Sequence, residues 1–356
     1  MAVSGAASGF NYGSDKSGLV WGFLIDPGAT ATPAATPDAT AAATPAAVSI
    51  GAANALRWMA APQPGQFIWL HFNLSNTASE RWLRQHAGLA DEFYATLHQG
   101  SRSTRIEIAD NALIAVVNDV LHGFSLDSAE ISTLWAHVTP HAVISARRKP
   151  LASIERLRQD VLQGAQLRSS SELLVHLLRD QADVLVNIVR DAVTRVDTIE
   201  DRLLAGRLTR QREDLGALRR VLVRLQRLLA PEPAALFRLL QRPPVWVHGD
   251  DRQDLRQATE EFTVVLSDLA ALQERIKLLQ EEIAARVNED NARSLYLLTI
   301  VTVMALPINL IAGLLGMNVG GVPLAGNDHG FWIVCGLIAT FTTVAAWLLL
   351  RLQRNR

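Results

Sequence analysis

Between Ser294 and Asn327 the chain contains no Asp, Glu, Lys, Arg or His. Within that stretch Tyr296–Leu315 is 20 residues long. As a helix it would reach roughly 30 Å, about one hydrocarbon thickness. A second uncharged run of 20 residues, Phe331–Leu350, follows a short loop rich in Gly, Pro and Asn. One such run is compatible with a buried core helix. Two in succession read as a transmembrane hairpin. Arg286 and Arg293 precede the first run, and Arg351, Arg354 and Arg356 follow the second. The loop between them has no Lys or Arg, so the positive-inside rule places both ends in the cytoplasm and the loop outside.

The hairpin sets the divisions of the rest. Residues 1–150 read as a cytoplasmic α/β domain, 151–250 as a cytoplasmic helical region and 251–293 as a stalk helix. The first span is 294–315, the periplasmic loop 316–329, the second span 330–350 and the cytoplasmic tail 351–356. In the first domain 18–25 and 67–74 read as strands and 79–99 as a helix. Residues 104–109 and 112–118 are further strands, and 131–146 is a hairpin turning near Thr139-Pro140. Residues 26–55 are nearly all Ala, Thr and Pro and read as a flexible insertion. From Leu151 onward the pattern is helical over 151–164, 172–206 and 209–229. Arginines 202, 207, 210, 212, 219, 220, 224 and 227 read there as a solvated, salt-bridged face. Prolines at 231, 233, 243 and 244 break that region.

Net charge is -1, which gives no global basic field and argues against a nucleic-acid partner. The N-terminus lacks a charged segment followed by an apolar one, so it does not read as a secretory signal. Cys335 is the sole cysteine, which excludes an intrachain disulfide and a cysteine-based zinc cluster. The motifs of phosphate loops, serine hydrolases and zinc proteases do not occur, so the expectation is a non-enzyme without a cofactor.

The next helix carries a sustained heptad seam: Leu255, Ala258, Phe262, Val265, Leu269, Leu272, Ile276, Leu279 and Ile283. It reads as self-packing of a long helix, and as a means for chains to associate. No Pro or Gly interrupts Arg252–Leu306, so the stalk runs into the first span. From Asp254 to Leu315 it would extend about 90 Å.

Two spans cannot enclose a water path, so conduction requires several chains. Along the first span, steps of three and four residues give Asn288, Asn291, Leu295, Leu298, Thr302, Leu306 and Asn309. Polar rings alternating with apolar constrictions suit a hydrated, gated pore. Packing through interhelical hydrogen bonds is the competing reading. Neither span holds Asp, Glu or His, the ligands a dehydrated divalent ion would want, so a crossing cation keeps its water. Glu281, Glu282, Glu289 and Asp290 at the inner end, and Asp328 beside His329 at the outer end, could concentrate cations or simply solvate the flanks. His137 and His141 flank Thr139-Pro140 and do not form a helical metal pair.

Leu306-Pro307, Ile311-Ala312-Gly313 and then Gly316-Met317-Asn318 resemble the first span of the CorA family of divalent-cation transporters. The uncharged Asn318-Val319-Gly320-Gly321-Val322-Pro323, with Ser145-Ala146-Arg147-Arg148-Lys149-Pro150, resembles its ZntB zinc-transporter branch. Two positions depart from the pattern. Met317 stands where that branch often has Val, and Asn309 where the family usually has Thr. The resemblance implies a homopentamer in the bacterial inner membrane, with a cation-selectivity ring of Gly316, Met317 and Asn318 at the outer mouth. It also implies Zn2+ uptake with coupling to protons, and activity toward other divalent cations. A CorA-type Mg2+ or Co2+ channel, and a membrane-anchored sensor or scaffold that transports nothing, remain as alternatives.

Overall fold

The computed structural model describes residues 13–28, 46–99, 104–127, 130–205, 211–317 and 328–354. Two compact units divide at Leu279 and Gln280. The first contains a seven-stranded sheet of β1 (Leu19–Ile25), β2 (Ala47–Ser49), β3 (Phe67–Asn73), β4 (Arg105–Ala109), β5 (Ala112–Val120), β6 (Ile131–Val138) and β7 (Ala142–Arg147). The spatial order is β2-β1-β3-β7-β6-β5-β4. Only β3 and β7 pair in parallel; the other neighbours are antiparallel. A two-residue turn, Asp110-Asn111, joins β4 to β5 with φ of 49° and 63°. Asp and Asn tolerate such left-handed geometry, which matches the strand twist.

Alternation along the strands directs each face to its own helices. Leu19, Ile68, Leu70, Phe72, Ile114, Val116 and Trp135 pack with Ala55 of α1 (Ala52–Ala60), Trp82 and Leu83 of α2 (Thr77–His86), and Phe93 and Leu97 of α3 (Asp91–Gln99). Trp21, Phe23, Ile25, Phe67, Trp69 and Leu113 face the other way. They pack with α4 (Ala152–Leu162), α5 (Ser170–Leu204), α7 (Pro231–Gln241) and the start of α8 (Gly249–Leu315). Gly18 fixes how α2 sits on β1. Its φ is +86°, and a Cβ there would lie 1.9 Å from Ser79 Oγ.

Several expected elements shift. Residues 26–55 are not wholly an insertion: β2 pairs with the edge of β1, and α1 begins at Ala52. Residues 29–45 lie outside the described residues. Gly88, at φ +56°, divides the expected helix 79–99 into α2 and α3. Pro231 follows the end of α6 at Leu229, as expected, but does more than break the region. It starts α7, where a missing N–H costs nothing.

The heptad seam needs the largest correction. The seam residues Leu255, Ala258, Phe262, Val265, Leu269, Leu272, Ile276 and Leu279 are each no more than 7 % exposed within a single chain, so this part of the seam is already occupied. Its neighbour is α5, held parallel by polar contacts at two heights. Asp251 accepts from Ser169 Oγ at 2.6 Å and Ser171 Oγ at 2.5 Å. Further along, Arg275 meets Asp197 at 2.8 Å and also pairs with Glu200. The apolar repeat was legible, but its partner lies in the same chain. α6 (Gln211–Leu229) completes the helical part through Leu215, Leu218, Leu222 and Leu225. Arg195, Arg202 and Arg220 line an open depression with Asp127 and Asp214, and Arg195 forms a two-pronged pair with Asp127 at 2.8 and 3.0 Å. Arg195 lies outside the expected arginine set, of which Arg202 and Arg220 line the same depression; Arg207 and Arg210 lie outside the described residues.

Candidate functional site

The second unit contains the end of α8 and the whole of α9 (Gly330–Arg354). Among the described residues, the helix Gly249–Leu315 is long and apolar enough to cross a membrane, and Gly330–Ala345 is a shorter apolar stretch. Ile300, Met304, Ile308, Ile311 and Leu315 are half-buried at helical spacing on α8. On α9 the corresponding set is Val334, Cys335, Ile338, Thr342 and Ala345. Each helix therefore has one shielded face.

The expected stripe lies on the opposite side of α8. Asn288, Asn291, Leu295, Leu298, Thr302, Leu306 and Asn309 are all exposed. Leu295, Leu298 and Leu306 are 63–64 % exposed. Apolar side chains left this open are covered by something other than their own chain. Thr302 Oγ1 donates to the Leu298 carbonyl at 2.8 Å. Its proton is thereby committed, and its remaining lone pairs can accept from a cation's water shell. Pro307 lies inside the helix and has no N–H to return to the Val303 carbonyl. That leaves one more oxygen acceptor in the same segment.

Gly313 and Gly316 behave differently. A Cβ at Gly313 would meet nothing within 4 Å in this chain, so the space is open to a neighbour. At Gly316 a Cβ would lie 3.0 Å from the Ala312 carbonyl oxygen, to which the Gly316 N–H also donates at 2.9 Å. Met317 is half exposed. Asn318, the polar member of the expected ring, lies outside the described residues, as do residues 319–327. Asp328 and His329 are exposed at the start of α9. Of the inner acids, Glu282 is paired with Arg286 at 2.6 Å, while Glu281, Glu289 and Asp290 are exposed on the same helix. Aromatic residues mark both ends of α9. Phe331 and Trp332 are 71 and 72 % exposed, and Arg351 stacks 5.0 Å from the Trp347 ring. From Trp332 to Trp347 is roughly 22 Å along a helix.

Among the described residues, no group of three His, Cys, Asp or Glu side chains is placed to hold a metal ion. His137 is a core residue whose ring packs edge-on to Phe93 at 6.1 Å; burial lowers its pKa to about 4. His71 is also buried, stacked 4.0 Å from Trp21 with Nδ1 2.8 Å from Ser145 Oγ. Its pKa is lowered chiefly by burial and further by Arg147 and Arg158. Sequence reasoning missed the buried acids of the first unit, Asp119, Glu155, Glu172, Asp180, Glu232 and Asp251. The polar pair Asn118-Asp119 near the end of an otherwise apolar strand was the only signal of them.

The family described as CorA-like Mg2+ transporter protein matches residues 64–351. The match covers β3 to β7 of the sheet, the helical region and nearly all of both C-terminal helices. The chain belongs to this family. It is 31% identical over 296 residues to the divalent cation transporter CmaX of Pseudomonas aeruginosa, covering 82% of this chain and 88% of that one. The zinc transport protein ZntB of Pectobacterium atrosepticum is 24% identical over 283 residues, with 80% and 86% coverage. Among solved structures, full-length CmaX superposes with a TM-score of 0.75 at 27% identity, covering 96% of this chain and 99% of that chain. The complete CorA magnesium transporter from Methanocaldococcus jannaschii has a TM-score of 0.74 over 92% and 97% of the two chains. At 17% identity that likeness concerns the fold.

Proposed function

We propose that the chain carries hydrated divalent cations across a membrane, with Zn2+ uptake as its principal activity. The observation that carries this reading is the exposed stripe running from Asn288 and Asn291 to Thr302 and Asn309, the last two set opposite the shielded face of α8. Within the span, Asn309 facing lipid would leave its amide in hydrocarbon without a partner, which is costly. Facing a shared axis, the same groups accept and donate to water around an ion. Leu295, Leu298 and Leu306 then narrow the path between polar levels.

The assembly we propose is a homopentamer in a bacterial inner membrane, with residues 294–315 and 330–350 spanning and both termini cytoplasmic. Gly316, Met317 and Asn318 form the outer ring. Gly313 gives neighbouring helices room, and Asp328 and His329 stand at the outer mouth. The exposed acids Glu281, Glu289 and Asp290, with Glu282, raise the cation concentration at the inner end. Zinc is favoured by the uncharged loop sequence 318–323 and by the likeness to ZntB. A Mg2+ or Co2+ channel is the second reading, supported by Met317 and by the family's description.

Ion flux into liposomes containing the purified full chain separates these readings. Zinc uptake that rises with an inward proton gradient supports the first. Magnesium flux that follows membrane potential and ignores pH replaces zinc with magnesium. Absence of flux for Zn2+, Mg2+ and Co2+ leaves a membrane-anchored sensor or scaffold. Asn318→Ala tests the ring, and unchanged zinc uptake removes that assignment.

A further inference from the structure

The first unit holds a polar cluster that the transport stripe does not use. Glu232, in the first turn of α7, is 0 % exposed. Its Oε2 accepts from Gln181 Nε2 on α5 at 3.1 Å, while its Oε1 has no partner. Gln181 Nε2 also donates to the Asn118 carbonyl of β5 at 2.7 Å, and Gln181 Oε1 is likewise without a partner. The buried Thr104 hydroxyl lies close enough to favour the charged form of Glu232 slightly, yet makes no well-aligned bond. Two of the unpartnered atoms, Glu232 Oε1 and Gln181 Oε1, are acceptors only, and the Thr104 hydroxyl is the one donor beside them. One added proton on Glu232 converts a carboxylate acceptor into a second donor.

The surrounding charges favour that proton. The charge facing Glu232 is Asp119 of β5, which is itself buried. Asp119 is committed through Oδ1 to the Val120 N–H at 2.7 Å and through Oδ2 to the Ser153 N–H at 3.0 Å. On α5, Asp180 pairs with Arg156 of α4 at 3.2 Å. On β4, which α7 packs against, Arg105 and Glu107 pair with each other at 2.7 Å near solvent. Arg238 of α7 is exposed. No cation is among the groups acting on Glu232. An ionised carboxylate buried without a counter-charge is strongly unfavourable.

We propose that the junction of α5, α7 and the sheet is a proton-binding site, with Glu232 holding the proton and α7 loosening from the sheet when the proton leaves. Burial is the largest cause raising the Glu232 pKa above its ordinary value, and Asp119 adds to it. The sign follows. The folded state binds the proton more tightly than the opened one, so α7 docking is strongest at acid pH. It weakens as pH rises from the ordinary carboxylate range through the raised value. Over that window one released proton changes the opening equilibrium about tenfold per pH unit.

The test is hydrogen exchange of the α7 amides in the purified full chain in detergent, corrected for intrinsic rates, as pH is raised from about 5. The wild type should lose protection about tenfold per pH unit, and Glu232→Gln should remove that slope while keeping α7 protected. Equal slopes in the two proteins overturn the proposal. A second measurement is spectroscopic. An infrared carbonyl band of a protonated carboxyl above the ordinary carboxylate range should be present in the wild type and reduced in Glu232→Gln, with Asp119 and Asp180 contributing equally to both. Identical bands in the two proteins also overturn the proposal.

Discussion

In residues up to Leu279, most large apolar side chains find partners in their own chain; Phe262 is 1 % exposed and Leu269 0 %, although a few such as Val245 stay open. From Gln280 onward, Leu295, Leu298 and Trp347 remain more than half exposed. The first unit completes its burial within one copy, because a sheet covered on both faces and parallel helices leave few apolar faces open. The second can shield one face per helix and no more. The contrast shows which sequence patterns are answered inside the chain and which call for a bilayer or further copies. The heptad seam belongs to the first class, and the Asn–Leu–Thr–Asn stripe to the second.

The largest effect that would sharpen this contrast is at Phe262. Phe262→Ala opens a cavity between α8 and its neighbours and should cost about 3–5 kcal/mol. Thermal unfolding of the full chain in detergent reads it as a lower midpoint for the first unit. A negligible shift would mean that the seam is not packed as described.

Next in size is an acid effect in the first unit. His137 has its pKa lowered to about 4 by burial, so the fold prefers the neutral ring. Its contribution is fully present above the ordinary histidine value. It is lost as pH falls from there toward about 4. The total is on the order of 3 kcal/mol. His137→Gln should flatten the acid limb of the unfolding curve in that window. An unchanged limb would place the acid sensitivity elsewhere, for instance at His71.

A smaller effect should appear only in the assembly. Gly313→Leu meets nothing in its own chain, so the first unit should melt unchanged. If a second copy approaches there, overpacking costs about 1–3 kcal/mol per contact and the oligomer weakens. Mass measurement in detergent distinguishes the two; an intact oligomer would mean that Gly313 faces lipid.

Much of this was legible from the residues. Uncharged runs located the C-terminal helices, because hydrocarbon length and absence of charge are properties of the sequence itself. Strand alternation found six of the seven strands near their observed bounds, but β2 was hidden in Ala- and Thr-rich composition. Its three residues gain their place from pairing with β1, which no local pattern announces. Pro231 was read as a breaker because proline interrupts a helix but also begins one, and the choice depends on its neighbours. The seam showed a helix with an apolar edge, yet periodicity carries no address for the partner. Glu232 had no signal in sequence, since its burial results from three distant segments meeting. The stripe was legible as a period, and its exposure opposite the shielded face is what the structure added.

Divalent-cation flux through a Thr302→Leu/Asn309→Leu double variant tests that stripe most directly, with Thr342→Leu on the shielded face of α9 as its counterpart. Each lost water-mediated contact is worth about 1 kcal/mol, or roughly fivefold in rate. Zinc uptake by liposomes containing the stripe variant should fall by at least that factor while the first unit melts as in the wild type. Uptake equal to wild type in the stripe variant would contradict the account.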